Sequence, residues 1–183
     1  MRRVLGLGVP VALLALAPAT IAAIEWLDLP KMVEKADGAI VGKIVSVTAT
    51  RHELPDAGSQ IFSHVRIVGT DLYTGRSADV TASFMGGRLG AEEIWCSEQP
   101  TGAELRVGNR VVAFYKWTPT MGGGAGMNAL YASHGGIFTV LAGPAGDVVL
   151  GKGQGYAVSA NLPLLTLQAQ ANAIRESLKK QPK

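Results

Sequence analysis

Short β-patterned segments follow one another from residue 39 to residue 152, and no helical pattern separates them. The first four are 39–53, 61–73, 79–87 and 111–117. Two further segments flank the Pro- and Gly-containing turn at 142–147, which predicts a hairpin. Consecutive strands without intervening helices indicate an antiparallel sheet. We therefore expect an all-β fold, a small closed antiparallel OB-like barrel of five to seven strands.

The first segment changes the face on which its apolar residues lie. Ile40 and Ile44 share one parity, whereas Val45 and Val47 share the other, and Gly42 lies between the two isoleucines. A glycine near such a change is typical of a bulge or a sharp bend. The pattern predicts that the first strand bends at Gly42.

A helical pattern lies at each end of the β-rich region. A short N-terminal helix is predicted within 27–37, where Asp28 can cap the first turn and Gly38 follows the last. A C-terminal amphipathic helix is predicted over 163–180, with Thr166 as its cap. We expect the two helices to cover the ends or one face of the barrel.

The first residues have the pattern of an export signal. Arg2 and Arg3 precede an apolar run, and small residues follow at 17–23. This predicts a signal peptide at 1–22, a single OB-like domain at 23–183, and secretion or a periplasmic location without a stable membrane span after cleavage. Removing the two arginines leaves 15 Lys+Arg against 14 Asp+Glu. With no basic cluster among aromatic residues, nucleic-acid binding is not expected.

The most unusual stretch is 83–100, which contains paired glycines, adjacent glutamates, a tryptophan and the single cysteine. OB-like barrels commonly bind through a sheet face and the loops at its edge. Tryptophan and arginine are frequent interface anchors. We therefore predict a binding surface on the 85–104 loop and an adjacent strand face. Its candidate residues are Arg88, Glu92, Glu93, Trp95, His64 and Arg66. The alternative is that Trp95 folds back and caps the barrel.

Cys96 has three interpretations: a buried thiol, an intermolecular disulfide partner, or a nucleophile. A nucleophilic role requires a base, for which His64 and His134 are the candidates. No catalytic cysteine signature surrounds it, so a buried structural thiol is favoured.

The sequence predicts neither a metal nor a cofactor. The three histidines lack ligand spacing. If 43–52 and 61–70 form a hairpin, His52 faces about residue 60 and His64 about residue 48, which argues against a shared metal. The glycine-rich stretches at 86–90 and 122–126 lack the Lys-Ser/Thr of a phosphate loop.

Several short motifs carry a family resemblance: KADGAIVGKIVSV at 35–47, the pair Gly86–Gly87, and the strand from Gly108 to Phe114. With these motifs the chain resembles a group of bacterial secreted β-barrel domains of unknown function. The stretch at 35–47 is also similar to the netrin-like domain of the tissue inhibitors of metalloproteinases, and this resemblance implies an OB-type barrel. Those inhibitors begin with a cysteine that approaches the protease zinc, and this chain has none there.

Taken together, these patterns predict an exported, non-catalytic binding module that recognises an extracytoplasmic protein or another envelope ligand. One alternative is an enzyme that uses Cys96 with His64 or His134. Another is a protease inhibitor of netrin-like shape that acts through the 85–104 loop.

Overall fold

The computed structural model describes residues 27–55, 58–121 and 126–180. The predicted signal peptide, 1–22, lies outside the described residues. Within them, the α-helices are α1 (Leu29–Lys35) and α2 (Leu164–Lys179), and a short 3-10 helix spans Ser133–Gly136. The strands are β1 (Gly38–Leu54), β2 (Gly58–Asp71), β3 (Ser77–Met85), β4 (Gly87–Leu89), β5 (Glu92–Ile94), β6 (Arg110–Thr118), β7 (Met127–Leu130), β8 (Ile137–Gly143), β9 (Gly146–Val149) and β10 (Leu162–Pro163).

Five strands close into a barrel in the order β1-β2-β3-β7-β6, and β6 pairs back onto β1. Strands β8, β9 and β10 continue the sheet from β6 outside this ring. The predicted all-β, OB-like barrel with two helices is therefore confirmed. One pair, β3 and β7, is parallel, because strand direction cannot alternate throughout a closed ring with an odd number of strands.

Two apolar cores lie on opposite sides of the barrel wall. The inner core fills the barrel with residues such as Ile44, Val65 and Phe84. The outer core packs α1 and α2 against the other face of β6, β8 and β9, with Met32 and Leu167 fully buried. The helices thus cover one face of the sheet.

The helix starts differ in how well the sequence predicts them. Asp28 accepts a hydrogen bond from Lys31 N at 2.9 Å and caps α1, as expected. The predicted cap of α2 is wrong: α2 begins at Leu164 after Pro163, so Thr166 lies inside the first turn. Proline at this entry fixes φ and starts the helix without a side-chain cap.

The bend of β1 is at a different residue from the one predicted. Gly42 keeps regular pairing with Gly69 and Val111, and the register shift falls between Ile44 and Ser46, so Val45 is the bulged residue. Gly42 is needed for another reason, since a β-carbon there would overlap the carbonyl of Val68. Beyond the bulge β1 pairs only with β2, and the β1–β2 hairpin extends past the start of β6.

Candidate functional site

A cleft of about 400 Å³ opens at the mouth of the barrel, on the inward-facing side of the extended β1–β2 hairpin. Val47, Ala49 and Ser63 form its floor, one wall is built from 87–95, and the other from 99–105. Val47 lies opposite the buried Val65, so it faces the barrel interior at the open end. This volume falls within the usual range of small-molecule binding pockets. We call this space the mouth cleft.

The β4–β5 hairpin forms one wall, and β1 and β2 hold it in place. Ser63 Oγ donates to the Gly86 carbonyl at 2.7 Å. Gly87 has φ +117°, and a β-carbon there would overlap the Ser63 hydroxyl, so this close approach requires glycine. An ion pair between Arg51 and Glu92 ties β5 to β1. These contacts fix the hairpin over the inner face of β1.

Three of the predicted binding residues line the mouth cleft together: Arg88, Glu93 and Trp95. Arg88 and Glu93 face each other across the β4–β5 pair. Trp95 follows β5 directly, and 69% of its surface is exposed. Trp95 therefore stands at the rim of the cleft and does not cap the barrel core.

The second wall is held by a cluster of Glu104, His134 and Lys152, which we call the anchor cluster. Lys152 Nζ lies 2.5 Å from Glu104 Oε1 and also donates to the carbonyl of His134. His134 Nδ1 is 3.2 Å from Glu104 Oε2, which also accepts from the amide of Thr101 at 2.8 Å. Because Glu104 belongs to the segment 99–105, the cluster fastens that wall to the barrel.

Partial burial and pairing set the ionisation of this cluster. Burial opposes the charge of Glu104, but hydrogen bonds from Lys152 and Thr101 outweigh it, so the pKa of Glu104 lies below its ordinary value. Burial lowers the pKa of Lys152, and Glu104 offsets only part of that effect. Glu104 is therefore ionised throughout the neutral range, and the pair is held by charge as well as by geometry.

His64 and Arg66 lie on the opposite side of β2 from the mouth cleft. Alternation along β2 places them away from Val65, which points into the barrel. Arg66 forms a bidentate pair with Asp79 of β3, with distances of 2.6 and 3.0 Å. Together they form a second polar surface that is separate from the cleft.

The predicted hairpin register of the histidines is confirmed: His52 pairs with Gln60 and His64 with Thr48. Their rings are nevertheless only 6.3 Å apart. Both Nε2 atoms lie near the Thr50 hydroxyl, at 2.9 Å for His52 and 2.6 Å for His64. Burial, and then the neighbouring His52, lower the pKa of His64. Side-chain reach thus brings the two rings closer than strand register alone indicated.

Cys96 lines a separate, mostly apolar cleft of about 220 Å³ with Met85, Met121 and Ser133. His64 has other partners at both ring nitrogens, and His134 has other partners at Nδ1. His64 Nδ1 lies 2.8 Å from Ser83 Oγ, and His134 Nδ1 lies between Glu104 and Lys152. In the described structure the thiol is half-buried and free.

Sequence reasoning missed the anchor cluster and the floor of the cleft. A local signal for the cluster exists: the spacing of Thr101 and Glu104 is that of a capping box, and Glu104 N lies 3.3 Å from Thr101 Oγ1. No local signal connects Glu104 to Lys152, because they are 48 residues apart. Nor did the sequence locate the bulge that carries Val47 over the cleft.

In the described ranges, no group of three histidine, cysteine, aspartate or glutamate residues is arranged to hold a metal ion. No helix among the described residues is both long and apolar enough to cross a membrane. Comparisons of the chain with protein families, with curated proteins and with solved structures found no match.

Proposed function

We propose that this chain is an exported, non-catalytic binding module that recognises a protein or another envelope ligand through the mouth cleft. The observation that carries the proposal is the open cleft with the exposed indole of Trp95 at its rim. A large, exposed aromatic side chain beside a preformed cavity is the usual composition of a binding hot spot. The basic and apolar pattern of residues 2–23 supports export.

The construction of the walls supports recognition by a preorganised surface. The buried hydrogen bond from Ser63 to the Gly86 carbonyl holds one wall, and the pair of Glu104 and Lys152 holds the other. A site with walls that are already ordered loses less conformational entropy when a ligand binds. The exposed Arg88 and Glu93 supply one charge of each sign at the rim, and these charges can orient a polar ligand.

A cysteine-dependent enzyme is the alternative, and the surroundings of Cys96 favour it less. Its cleft is lined mainly by apolar groups, and His64 and His134 bond to other partners. A nucleophilic thiol requires a base within hydrogen-bonding reach.

Capture from the envelope fraction and culture medium of the source organism, without reductant, tests the proposal. The baits are the wild-type chain and the variants Trp95→Ala, Trp117→Ala and Cys96→Ser. Trp117 is a matched control, since it is 54% exposed but lies on β6 away from the cleft. Loss of a hot-spot tryptophan should weaken binding ~30-fold, whereas the other two variants should retain the ligand.

Two results would contradict the proposal. Equal retention by wild type and Trp95→Ala would mean that the mouth cleft is not the binding site. Loss of the ligand from Cys96→Ser alone would indicate a mixed disulfide or a thiol-dependent complex, and would favour the enzyme.

A further inference from the structure

One edge of β1 is unpaired beside the mouth cleft. Between Ile40 and Lys43, β1 has β6 on one side and β2 on the other. Among the described residues, no strand pairs with the outer edge of 46–54, because β6 begins at Arg110 opposite Lys43. We call the outer edge of 46–54 the free edge.

The hydrogen bonds of Ile44 show which backbone groups point toward the free edge. Ile44 N–H donates to Asn109 O at 2.9 Å, and its carbonyl accepts from Gly108 N at 2.8 Å, so both groups point away from β2. Ile44 and Ile67 are therefore a pair without mutual hydrogen bonds. The alternation along β2 continues past the bulge, so Val47 and Ala49, opposite Val65 and Ser63, also direct their N–H and C=O groups outward.

These outward groups border the mouth cleft, since Val47, Thr48 and Ala49 line it. An apolar side chain accompanies them, since Val47 is 36% exposed and lines the cleft. Natural proteins usually block such edges, because unpaired backbone groups next to apolar residues attract other strands. A free edge, the exposed Val47 and the rim tryptophan thus occur together at one site.

We propose that the ligand of the mouth cleft is an extended polypeptide segment of a partner protein, which adds to the free edge as a strand. This inference rests on the proposed function and specifies its partner. Backbone hydrogen bonds to Val47 and Ala49 hold the segment, and an apolar side chain of the segment enters the cleft beside Trp95. The free edge is ~30 Å long at the usual rise of a strand, enough for roughly nine residues.

Selection of displayed random peptides of about 12 residues on the full chain, followed by a backbone N-methyl scan of the best binder, tests this inference. N-methylation removes one donor and blocks one pairing contact, while the protein itself stays unaltered. In a strand at a sheet edge, the backbone N–H groups of every second residue point toward the neighbouring strand. Methylation at those positions should therefore weaken binding ~10-fold or more, and methylation at the intervening positions less than ~2-fold.

Each other outcome overturns the strand-addition proposal. Binding that tolerates methylation at all positions means that the peptide does not pair as a strand. A parallel selection on Trp95→Ala is the control. If no peptide enriches more on the wild-type chain than on this variant, the cleft does not bind a polypeptide. If sedimentation shows that the chain self-associates and Val47→Lys abolishes this, the free edge binds a second copy of the chain. The capture experiment remains independent, since a ligand of another class that depends on Trp95 supports the proposed function without a peptide.

Discussion

Breaking the pair of Glu104 and Lys152 should destabilise the fold by about 2–3 kcal/mol. Only 17% of the Glu104 side chain and 11% of the Lys152 side chain reach solvent. Removing one partner from a fully buried pair costs ~3–5 kcal/mol, and this partial exposure reduces the cost. Glu104→Gln leaves Lys152 with the His134 carbonyl as its main acceptor. Lys152→Met leaves Glu104 Oε1 without its cation.

The double variant should be less destabilised than the sum of the single variants, since neither partner then remains charged and alone. We expect a coupling energy of ~2 kcal/mol. With a urea slope of ~2 kcal/mol per molar, each single change should lower the unfolding midpoint by ~1 M or somewhat more. Glu176 and Lys179 form an exposed pair at 2.7 Å and serve as the control, with no measurable shift expected. Additive single effects, within ~0.5 kcal/mol, would refute the view that the anchor cluster acts as a unit.

The same variants should change the response to acid. The pKa of Glu104 in the folded chain lies below its ordinary value of 4.5. Its contribution to stability is therefore complete above that ordinary value and is lost as the pH falls through the lower, folded pKa. Glu104→Gln should flatten this part of the acid unfolding curve. An unchanged curve would show that Glu104 does not carry the effect.

Three further outcomes follow from the packing. Gly42→Ala should destabilise the fold by ~3 kcal/mol or more, because the new β-carbon meets a backbone carbonyl. Gly102→Ala is the control and should change the urea midpoint little, because its β-carbon meets nothing within 4 Å. Similar midpoints for the two variants would refute this. Leu167→Ala should lower the free energy of unfolding in urea by ~2–5 kcal/mol, since Leu167 is fully buried. Leu165 is 78% exposed and should tolerate the same change. Equal losses of stability would contradict this packing. NMR titration should give His64 a pKa below 6.5. The contribution of His64 to the free energy of unfolding is then lost as the pH falls below 6.5. A measured pKa at or above 6.5 would contradict the burial of its ring.

The sequence predicted local structure well where periodicity and caps are short-range. Apolar residues alternate along β2 and put Ile61, Val65 and Ile67 on one face, and all three are fully buried. The cap at Asp28 was likewise readable. The bend of β1 was placed three residues too early, because Gly42 serves close strand packing while the bulge falls at Val45.

The candidate site was predicted only in part. The exposed residues of one continuous stretch, Arg88, Glu93 and Trp95, do meet in one cleft. His64 and Arg66 lie on the opposite face of the sheet from this cleft. The alternation of side chains along β2 determines this, but the position of the 85–104 loop in the sequence did not indicate it. The surroundings of Cys96 could not be predicted from the sequence, because they depend on how β3 packs against the segments near Met121 and Ser133.

The sequence alone determined that the chain forms β-strands between two helices and that its special residues concentrate between residues 83 and 100. These are local properties, set by side-chain period and turn chemistry. The tertiary structure decided where β6 begins relative to β1, and thereby created both the mouth cleft and the free edge. It also brought Glu104, His134 and Lys152 together. These features depend on contacts between residues far apart in the chain, for which a local pattern has no signal.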